Sequence, residues 1–171
     1  MGASGVSDYE IERSLRLNST NAIMADAAQP DGYTYNNTTT TFSTSGGSGG
    51  TQDAVNKSGD SIIAYCFAEV KGYSKFGSYT GNGNADGPFV YTGFKPAFIL
   101  YKNTARSISW LIHDNKRLGY NPDNDEQHPD TTAADGSDDR ADILSNGFKI
   151  RESSNLMNVS GEQVIYMAFA E

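Results

Sequence analysis

The amino-acid sequence predicts an all-β protein, an antiparallel β-sandwich of jelly-roll-like form with an extended N-terminal arm. Three observations predict this class. After residue 60, short apolar runs alternate with a period of two, as strands do. Gly, Asn, Pro and Asp residues separate these runs at short intervals. No window in the same region keeps a helical apolar spacing over several turns. A chain of 171 residues is long enough for one such domain with its own core.

The first 59 residues predict an arm and a linker. Residues 1–35 are interpreted as a docking arm, in which a few apolar side chains are spaced in a way that fits a helix or a strand. These are Tyr9, Ile11, Leu15 and Leu17. Residues 36–59 are rich in Thr, Gly and Ser and predict a flexible linker, because they bury too little apolar surface to offset chain entropy. The β-sandwich is predicted at residues 60–171.

The first strand of the sandwich is predicted at residues 61–70, where both faces are apolar. Ile63, Tyr65 and Phe67 alternate with smaller apolar side chains, a pattern typical of a central strand covered on both sides. The run contains the single cysteine, Cys66, which has no intrachain partner for a disulfide. We therefore expect a buried thiol that acts as a small hydrophobe.

Later apolar runs supply the remaining strands, at residues 97–101, 107–114, 143–144, 147–150 and 164–170. The pair Asn146-Gly147 predicts a hairpin turn. In the second run, Trp110 shares a face with Ile108 and Ile112, which favours core packing over a binding platform. His113 falls on the opposite face and is expected to be a rim or partly buried histidine.

Two of these runs are similar to each other. Residues 63–69 match residues 165–171 at Ile, Phe, Ala and Glu. The first and last strands therefore look like variants of one element. They could pair as neighbours in a sheet, or the first could be the closing strand of an upstream copy.

The charge distribution excludes some classes of partner. The formal net charge of −8 argues against binding to nucleic acid or to an anionic membrane surface. No apolar stretch is long enough for a membrane helix, so membrane insertion is not expected. Residues 121–142 contain eight acidic residues and one basic residue, Arg140, whereas residues 60–120 have more basic than acidic residues. This acidic stretch is either a solvated loop, a charged contact with another subunit, or a calcium site.

The calcium hypothesis rests on four carboxylates of the acidic stretch, Asp123, Asp125, Asp135 and Asp138. Ca²⁺ prefers such oxygen ligands, but their spacing does not follow the twelve-residue helix-flanked loop. No other cofactor is expected. Catalysis is not expected either, because Asp123, Asp125 and Glu126 are the only dense carboxylates and no fixed framework is evident around them.

The glycine-rich residues 77–87 form a candidate glycan site. Sugar recognition uses aromatic rings together with polar side chains, here Tyr79, Asn82, Asn84 and Asp86. The alternative interpretation is a turn motif with a structural tyrosine.

Several segments resemble a known family. Residues 9–18 resemble the opening segment of large tail-fibre-like proteins of marine bacteriophages, particularly those that infect cyanobacteria. The C-terminal β domain of those proteins, which has no known function, is similar to residues 63–82, 93–98, 109–114, 144–148 and 165–170. The resemblance covers residues 60–171 and, more weakly, residues 8–18. In the longer relatives a lectin-like jelly roll follows the opening segment, and here polar residues stand in its place.

The resemblance implies a phage virion structural protein at the particle surface, a tail-fibre-like or capsid-surface appendage involved in host adhesion or particle decoration. It implies other virion proteins as partners of the N-terminal arm, and a homo-oligomer that is trimeric by analogy with phage appendages. The alternative function is a carbohydrate-binding, lectin-like module that recognises host surface glycans.

Overall fold

The computed structural model describes residues 15, 17, 19–22, 33–35, 40–41, 43–45, 59, 61–117, 121, 125–153 and 156–171. In this part of the chain every regular element is a strand, and the strands form antiparallel sheets. The predicted fold class, an all-β antiparallel sandwich, is confirmed. The chain divides into two compact units, Met1–Ser14 with Met24–Tyr65 and Leu15–Ile23 with Cys66–Glu171.

The first unit contains one short hairpin. Strands β1 (Tyr33–Tyr35) and β2 (Ser43–Ser45) pair antiparallel, with Tyr33 opposite Ser45. The division into units differs from the predicted boundaries. Both the predicted arm and the predicted linker contribute a strand, and Leu15–Ile23 belongs with the larger unit.

The larger unit contains the two sheets of the sandwich. Its strands are β3 (Ser74–Thr80), β4 (Phe89–Tyr91), β5 (Pro96–Asn103), β6 (Leu111–Asp114), β7 (Glu126–Gln127), β8 (Ala141–Leu144), β9 (Gly147–Ile150) and β10 (Gln163–Ala170). The five-stranded sheet has the order β3-β10-β5-β6-β7, and the three-stranded sheet has the order β4-β9-β8. All neighbouring strands run antiparallel.

Apolar side chains from both sheets form the core. Phe148 of β9 is fully buried, and its ring makes edge contacts with Tyr79, Tyr101 and Tyr166 of the five-stranded sheet at centroid distances of 6.2, 5.4 and 5.3 Å. Such edge-to-face pairs are favourable beyond the area they bury. Because side chains alternate between the two faces along β10, Tyr166 points into the core and Phe169 lies half-buried on the outer face.

The outer face of the five-stranded sheet carries an aromatic cluster. The Phe169 ring lies 5.9, 6.1, 5.8 and 6.1 Å from the rings of Phe67, Tyr73, Phe76 and Phe98. We call these five residues the outer aromatic cluster. This cluster covers part of the outer face of β10, which carries apolar side chains on both faces.

Within the larger unit, a buried lysine binds the N-terminal segment that contains Thr20. Lys102 of β5 is fully buried, and its Nζ donates to the carbonyls of Thr20 at 3.0 Å and Arg106 at 3.2 Å, and also to that of Ile108. Burial lowers the pKa of this lysine. Because the Thr20 carbonyl helps to satisfy the ammonium group, residues near Thr20 belong to the sandwich rather than to a separate arm.

The predicted strand at residues 61–70 is wrong. These residues form no strand apart from a single bridge at Val70, and every one of them is exposed, including Cys66. On one edge of β3 the neighbouring strand is β10. In addition, the Glu69 carboxylate accepts the Phe76 backbone N–H that a continuing strand would use. The two similar segments are therefore not sheet neighbours within the chain.

Two further details differ from the prediction. In β6 the buried face carries Leu111 and His113, whereas Ile112 is half-buried, so the predicted inner and outer faces are reversed. Trp110 is buried as expected, but it lies before the strand begins. The β8–β9 turn consists of Ser145 and Asn146, and Gly147 already belongs to β9. A Cβ at Gly147 would overlap the Val90 carbonyl oxygen, so glycine is required for the close approach of β4.

The described part of the chain contains no helix that is long and apolar enough to cross a membrane.

Candidate functional site

A partly buried arginine binds three carboxylates. The Arg140 guanidinium donates from Nε to Glu126, from Nη1 to Glu152 at 2.5 Å, and from Nη2 to Asp138. The Glu126 and Glu152 side chains are only 2% and 8% exposed, whereas Asp138 is 67% exposed. We call Arg140, Glu126 and Glu152 the charge cluster, and it is the most buried ionic group among the described residues.

The strand pairing explains how the charge cluster assembles. Arg140 directly precedes β8 and Arg151 directly follows β9, and the Arg151 N–H donates to the Arg140 carbonyl at 2.8 Å. The β8–β9 hairpin thereby brings Glu152 beside Arg140. Glu126 comes from β7, whose backbone exchanges two hydrogen bonds of 2.9 Å with Gly136. A Cβ at Gly136 would lie 3.0 Å from the Glu126 side chain, so glycine leaves room for the carboxylate.

Hydrogen bonds to the two glutamates favour the charged form of Arg140. Burial lowers the pKa of Arg140, but the hydrogen bonds from Glu126 and Glu152 outweigh burial, so its pKa is raised overall. Glu152 also accepts the Met157 backbone N–H at 2.9 Å. Because both buried carboxylates bind one guanidinium, the charge cluster joins three chain segments. A carboxylate pair for hydrolysis would instead flank a scissile bond.

Two buried aromatic side chains, Tyr101 and His113, contact each other inside the larger unit. Tyr101 and His113 are each 1% exposed, and their rings make an edge contact at 5.5 Å. Within the described residues, neither the Tyr101 hydroxyl nor the His113 ring nitrogens have a hydrogen-bond partner. Burial, followed by the positive charge of Arg140, lowers the pKa of His113 to about 4. Burial also raises the pKa of Tyr101, so both side chains are neutral at pH 7.

The neutral histidine makes stability depend on pH. The unfolded chain binds a proton at a pKa of about 6.5, whereas folded His113 resists protonation down to about 4. The free energy of unfolding should therefore fall as the pH is lowered through this window, by about 2 kcal/mol between pH 7 and pH 5 from this residue. Urea unfolding at both pH values, for the wild type and His113→Leu, measures this contribution.

Leucine replaces two unpartnered nitrogens with apolar atoms, so we expect His113→Leu to keep its stability at pH 7. Its loss between pH 7 and pH 5 should be smaller than that of the wild type. An equal loss in both proteins would show that His113 is not the group responsible.

A shallow polar pocket of about 350 Å³ adjoins the charge cluster. It is lined by Ala85, Asp138, Asp139, Arg140, Arg151, Glu152 and Ser153. Both arginines in it are already bound to carboxylates, Arg140 as above and Arg151 to Asp142. A ligand in this pocket would have to compete with these ion pairs.

The glycine-rich loop is built around a buried asparagine. Asn158 is fully buried, and its Nδ2 donates to Asn82 Oδ1, the Asn84 carbonyl and the Glu152 carbonyl at 2.9, 2.6 and 2.7 Å. Its Oδ1 accepts the Asn82 backbone N–H at 2.8 Å. Asn158 therefore ties the loop to the segment that carries Glu152.

Of the four predicted glycan-site residues, Asn82, Asn84 and Asp86 are exposed on one loop, whereas Tyr79 is buried. Tyr79 is buried, and its hydroxyl donates to the Met157 carbonyl at 2.9 Å, so it is a core residue and not a sugar platform. The Asn82 and Asn84 side-chain oxygens accept backbone N–H groups inside the loop, both at 2.9 Å. Asp86 pairs with Lys149 at 2.8 Å, which lowers the pKa of that carboxyl group.

The predicted calcium ligands are also dispersed. Asp135 binds Arg117 and Asp138 binds Arg140, while Asp125 is half-buried just before β7 and Asp123 lies outside the described residues. Among the side chains that the structure describes, no three His, Cys, Asp or Glu residues are arranged to hold a metal ion.

Of the predicted docking residues, two can be placed. Leu15 is half-buried and Leu17 is 52% exposed. Tyr9 and Ile11 lie outside the described residues.

Sequence reasoning missed most of the charge cluster. Glu126 was expected to lack a fixed framework, but it is buried and held by Arg140. One clue was available, since Arg140 is the only basic residue in an acidic stretch and a lone arginine there should be shared by several carboxylates. Glu152 and Asn158 carried no such clue, because their partners are distant in sequence.

The fold and the charge cluster define an all-β sandwich domain in which two buried carboxylates, Glu126 and Glu152, share one arginine. Comparison with protein families places residues 4–171 in a single family, described as a domain of unknown function, DUF7483. The chain belongs to this family, and the match spans the N-terminal residues as well as both sheets. Searches of curated proteins and of solved structures found no match.

Proposed function

We propose that this protein is a structural or adhesive component of a bacteriophage particle, a tail-fibre-like or capsid-surface appendage on the virion surface. The resemblance of residues 60–171 to the end domain of phage fibre-like proteins supports this class. In the proposal, the N-terminal residues dock the sandwich to other virion proteins. Copies of the chain also associate with one another, as trimers by analogy with phage appendages.

The observation that carries the proposal is a run of exposed apolar side chains. Ile63 and Tyr65 are 79% and 81% exposed, and Phe67 and Tyr73 on the same chain segment are also more than half exposed. Monomeric soluble proteins rarely expose a continuous apolar run of this kind. A component of an assembly covers such a surface with its neighbours.

The charged residues support a role without catalysis. Arg140 holds Glu126 and Glu152 in ion pairs, and the nearby His113 is buried and neutral. These groups stabilise the loops at one end of the sandwich, and a reaction would need at least one of them free to exchange a proton. The lectin-like alternative has less support, because Tyr79 is in the core and the loop asparagines bind their own backbone.

The composition of purified particles tests the proposal. Quantitative mass spectrometry of density-gradient fractions should find this chain at a constant ratio to the major capsid protein across the particle peak. A non-structural protein of the same phage serves as the control and should stay in the lysate. Recovery of this chain only with the non-structural control would contradict the proposal.

A further inference from the structure

We propose that the exposed residues 61–66 of one copy add as an antiparallel strand to the free edge of β3 in a second copy. This names the surface for the self-association proposed above and rests on it.

The first step is that β3 has an open edge. In the described part of the chain, β3 pairs only with β10. Ser74 exchanges two backbone hydrogen bonds with Val70, at 2.9 and 3.2 Å, so its amide and carbonyl point away from β10. Antiparallel ladders alternate, so Phe76, Ser78 and Thr80 present their backbone groups on the same outer edge, where the Phe76 N–H already donates to the Glu69 carboxylate at 3.3 Å and an added strand would displace that carboxylate. Ser78 and Thr80 are both exposed, which leaves this edge accessible to another strand.

The second step is that residues 61–66 overlap the segment that resembles β10, the strand that β3 already binds. Residues 63–69 match residues 165–171 at Ile63, Phe67, Ala68 and Glu69, and of these Ile63 lies within residues 61–66. Ile63 and Tyr65 correspond to Ile165 and Met167, which lie on the outer face opposite Ser78 and Phe76. A strand with the same pattern on the free edge would continue the apolar outer face.

The third step is that the chain's own turn prevents this pairing within one copy. The Val70–Ser74 bridge fixes a hairpin register in which Phe67 would lie opposite Gly77. Gly77 belongs to the inner face, since a Cβ there would touch the Tyr166 ring. Shifting the pairing of two strands by one residue moves every side chain to the other face of the sheet, so this hairpin register would place Phe67 on the inner face. In the structure the Phe67 ring instead packs on the outer face, 6.3 Å from the Phe76 ring.

A second copy is not bound by that turn. Its Ile63 can lie opposite Ser78 and its Tyr65 opposite Phe76, the register that β10 uses on the other edge. Backbone hydrogen bonds then give affinity, and alternate apolar side chains give specificity, as in other cases of strand addition.

Removing one edge N–H tests the proposal in the full chain. Ser78→Pro deletes the outward amide, and proline is tolerated on edge strands. Ser78→Ala is the matched control, because it loses the same hydroxyl, which accepts from Gln163 at 3.1 Å, but keeps the amide. Sedimentation velocity should show self-association weakened about tenfold or more in Ser78→Pro, and wild-type behaviour in Ser78→Ala.

Equal association of the two variants would overturn the edge assignment while leaving self-association intact. A wild-type chain that stays monomeric over the whole concentration range would overturn self-association as well, while particle composition tests the virion role separately.

Disulfide trapping covers the case in which Ser78→Pro does not fold. Ile63→Cys and Ser78→Cys are combined with Cys66→Ala, and the oxidised protein is analysed on a non-reducing gel. Covalent dimers or larger species support the proposal. Monomer alone, with or without an intrachain disulfide, overturns it. Ile63→Cys with Tyr91→Cys and Cys66→Ala is the control, because Tyr91 is equally accessible on the other sheet.

Discussion

Arg140→Met should destabilise the protein by about 3–5 kcal/mol, because it leaves Glu126 and Glu152 as buried carboxylates without a counter-charge. Glu126 is only 2% exposed and has little access to solvent that could replace the guanidinium. Chemical unfolding at pH 7 measures the change.

Arg151→Met is the matched control for this experiment. Arg151 lies across the hairpin from Arg140, but its side chain is 42% exposed, so solvent screens its ion pair with Asp142, which is 16% exposed. Its replacement should cost no more than about 1 kcal/mol. If the two variants lose similar amounts of stability, the charge cluster is not the stabilising element that its burial indicates.

Asn158→Ala should produce the second large effect, a loss of about 3 kcal/mol with loosening of the glycine-rich loop. The fully buried side chain makes four hydrogen bonds, and its removal leaves the Asn82 N–H and the Asn84 and Glu152 carbonyls without their partner. Each lost bond costs roughly 1 kcal/mol. Thermal unfolding measures the stability, and hydrogen exchange of the Asn82 amide measures the order of the loop.

Asn84→Ala provides the comparison within the same loop. It removes one exposed acceptor, for the Asp86 N–H, so we expect a change below about 1 kcal/mol and a protected Asn82 amide. An Asn82 amide that exchanges at the same rate in both variants would contradict the anchoring role of Asn158.

The sequence predicted several strands correctly, but one equally apolar segment was wrongly predicted to be a strand. Residues 97–101 and 164–170 are continuous apolar runs, and they became β5 and β10, which pair along most of their length. Residues 61–70 contain a similar apolar run and yet form no strand. The turn before β3 explains the failure, because the Val70–Ser74 bridge fixes a register that would place Phe67 on the inner face, and the apolar pattern does not reveal this register.

The sequence also did not determine which face of a strand is buried or which charged side chains pair. Alternation in residues 107–114 separates two faces, but the buried one is decided by the opposite sheet, which selects Leu111 and His113. Tyr79 is a second example, since its glycine-rich stretch fitted either a glycan site or a turn with a structural tyrosine, and its ring packs against Phe148 in the core. The charge cluster could be predicted only in part, from the lone Arg140.

What the sequence alone determined is local: the β class, the strand-forming segments, and the concentration of acidic residues around Arg140. These follow from residue types and their spacing along the chain, which act over a few residues. What only the tertiary structure decided is which apolar run enters the sheet, which face becomes the core, and which carboxylates meet Arg140. These depend on contacts between segments far apart in sequence, because burial and ion pairing are properties of the packed sheets.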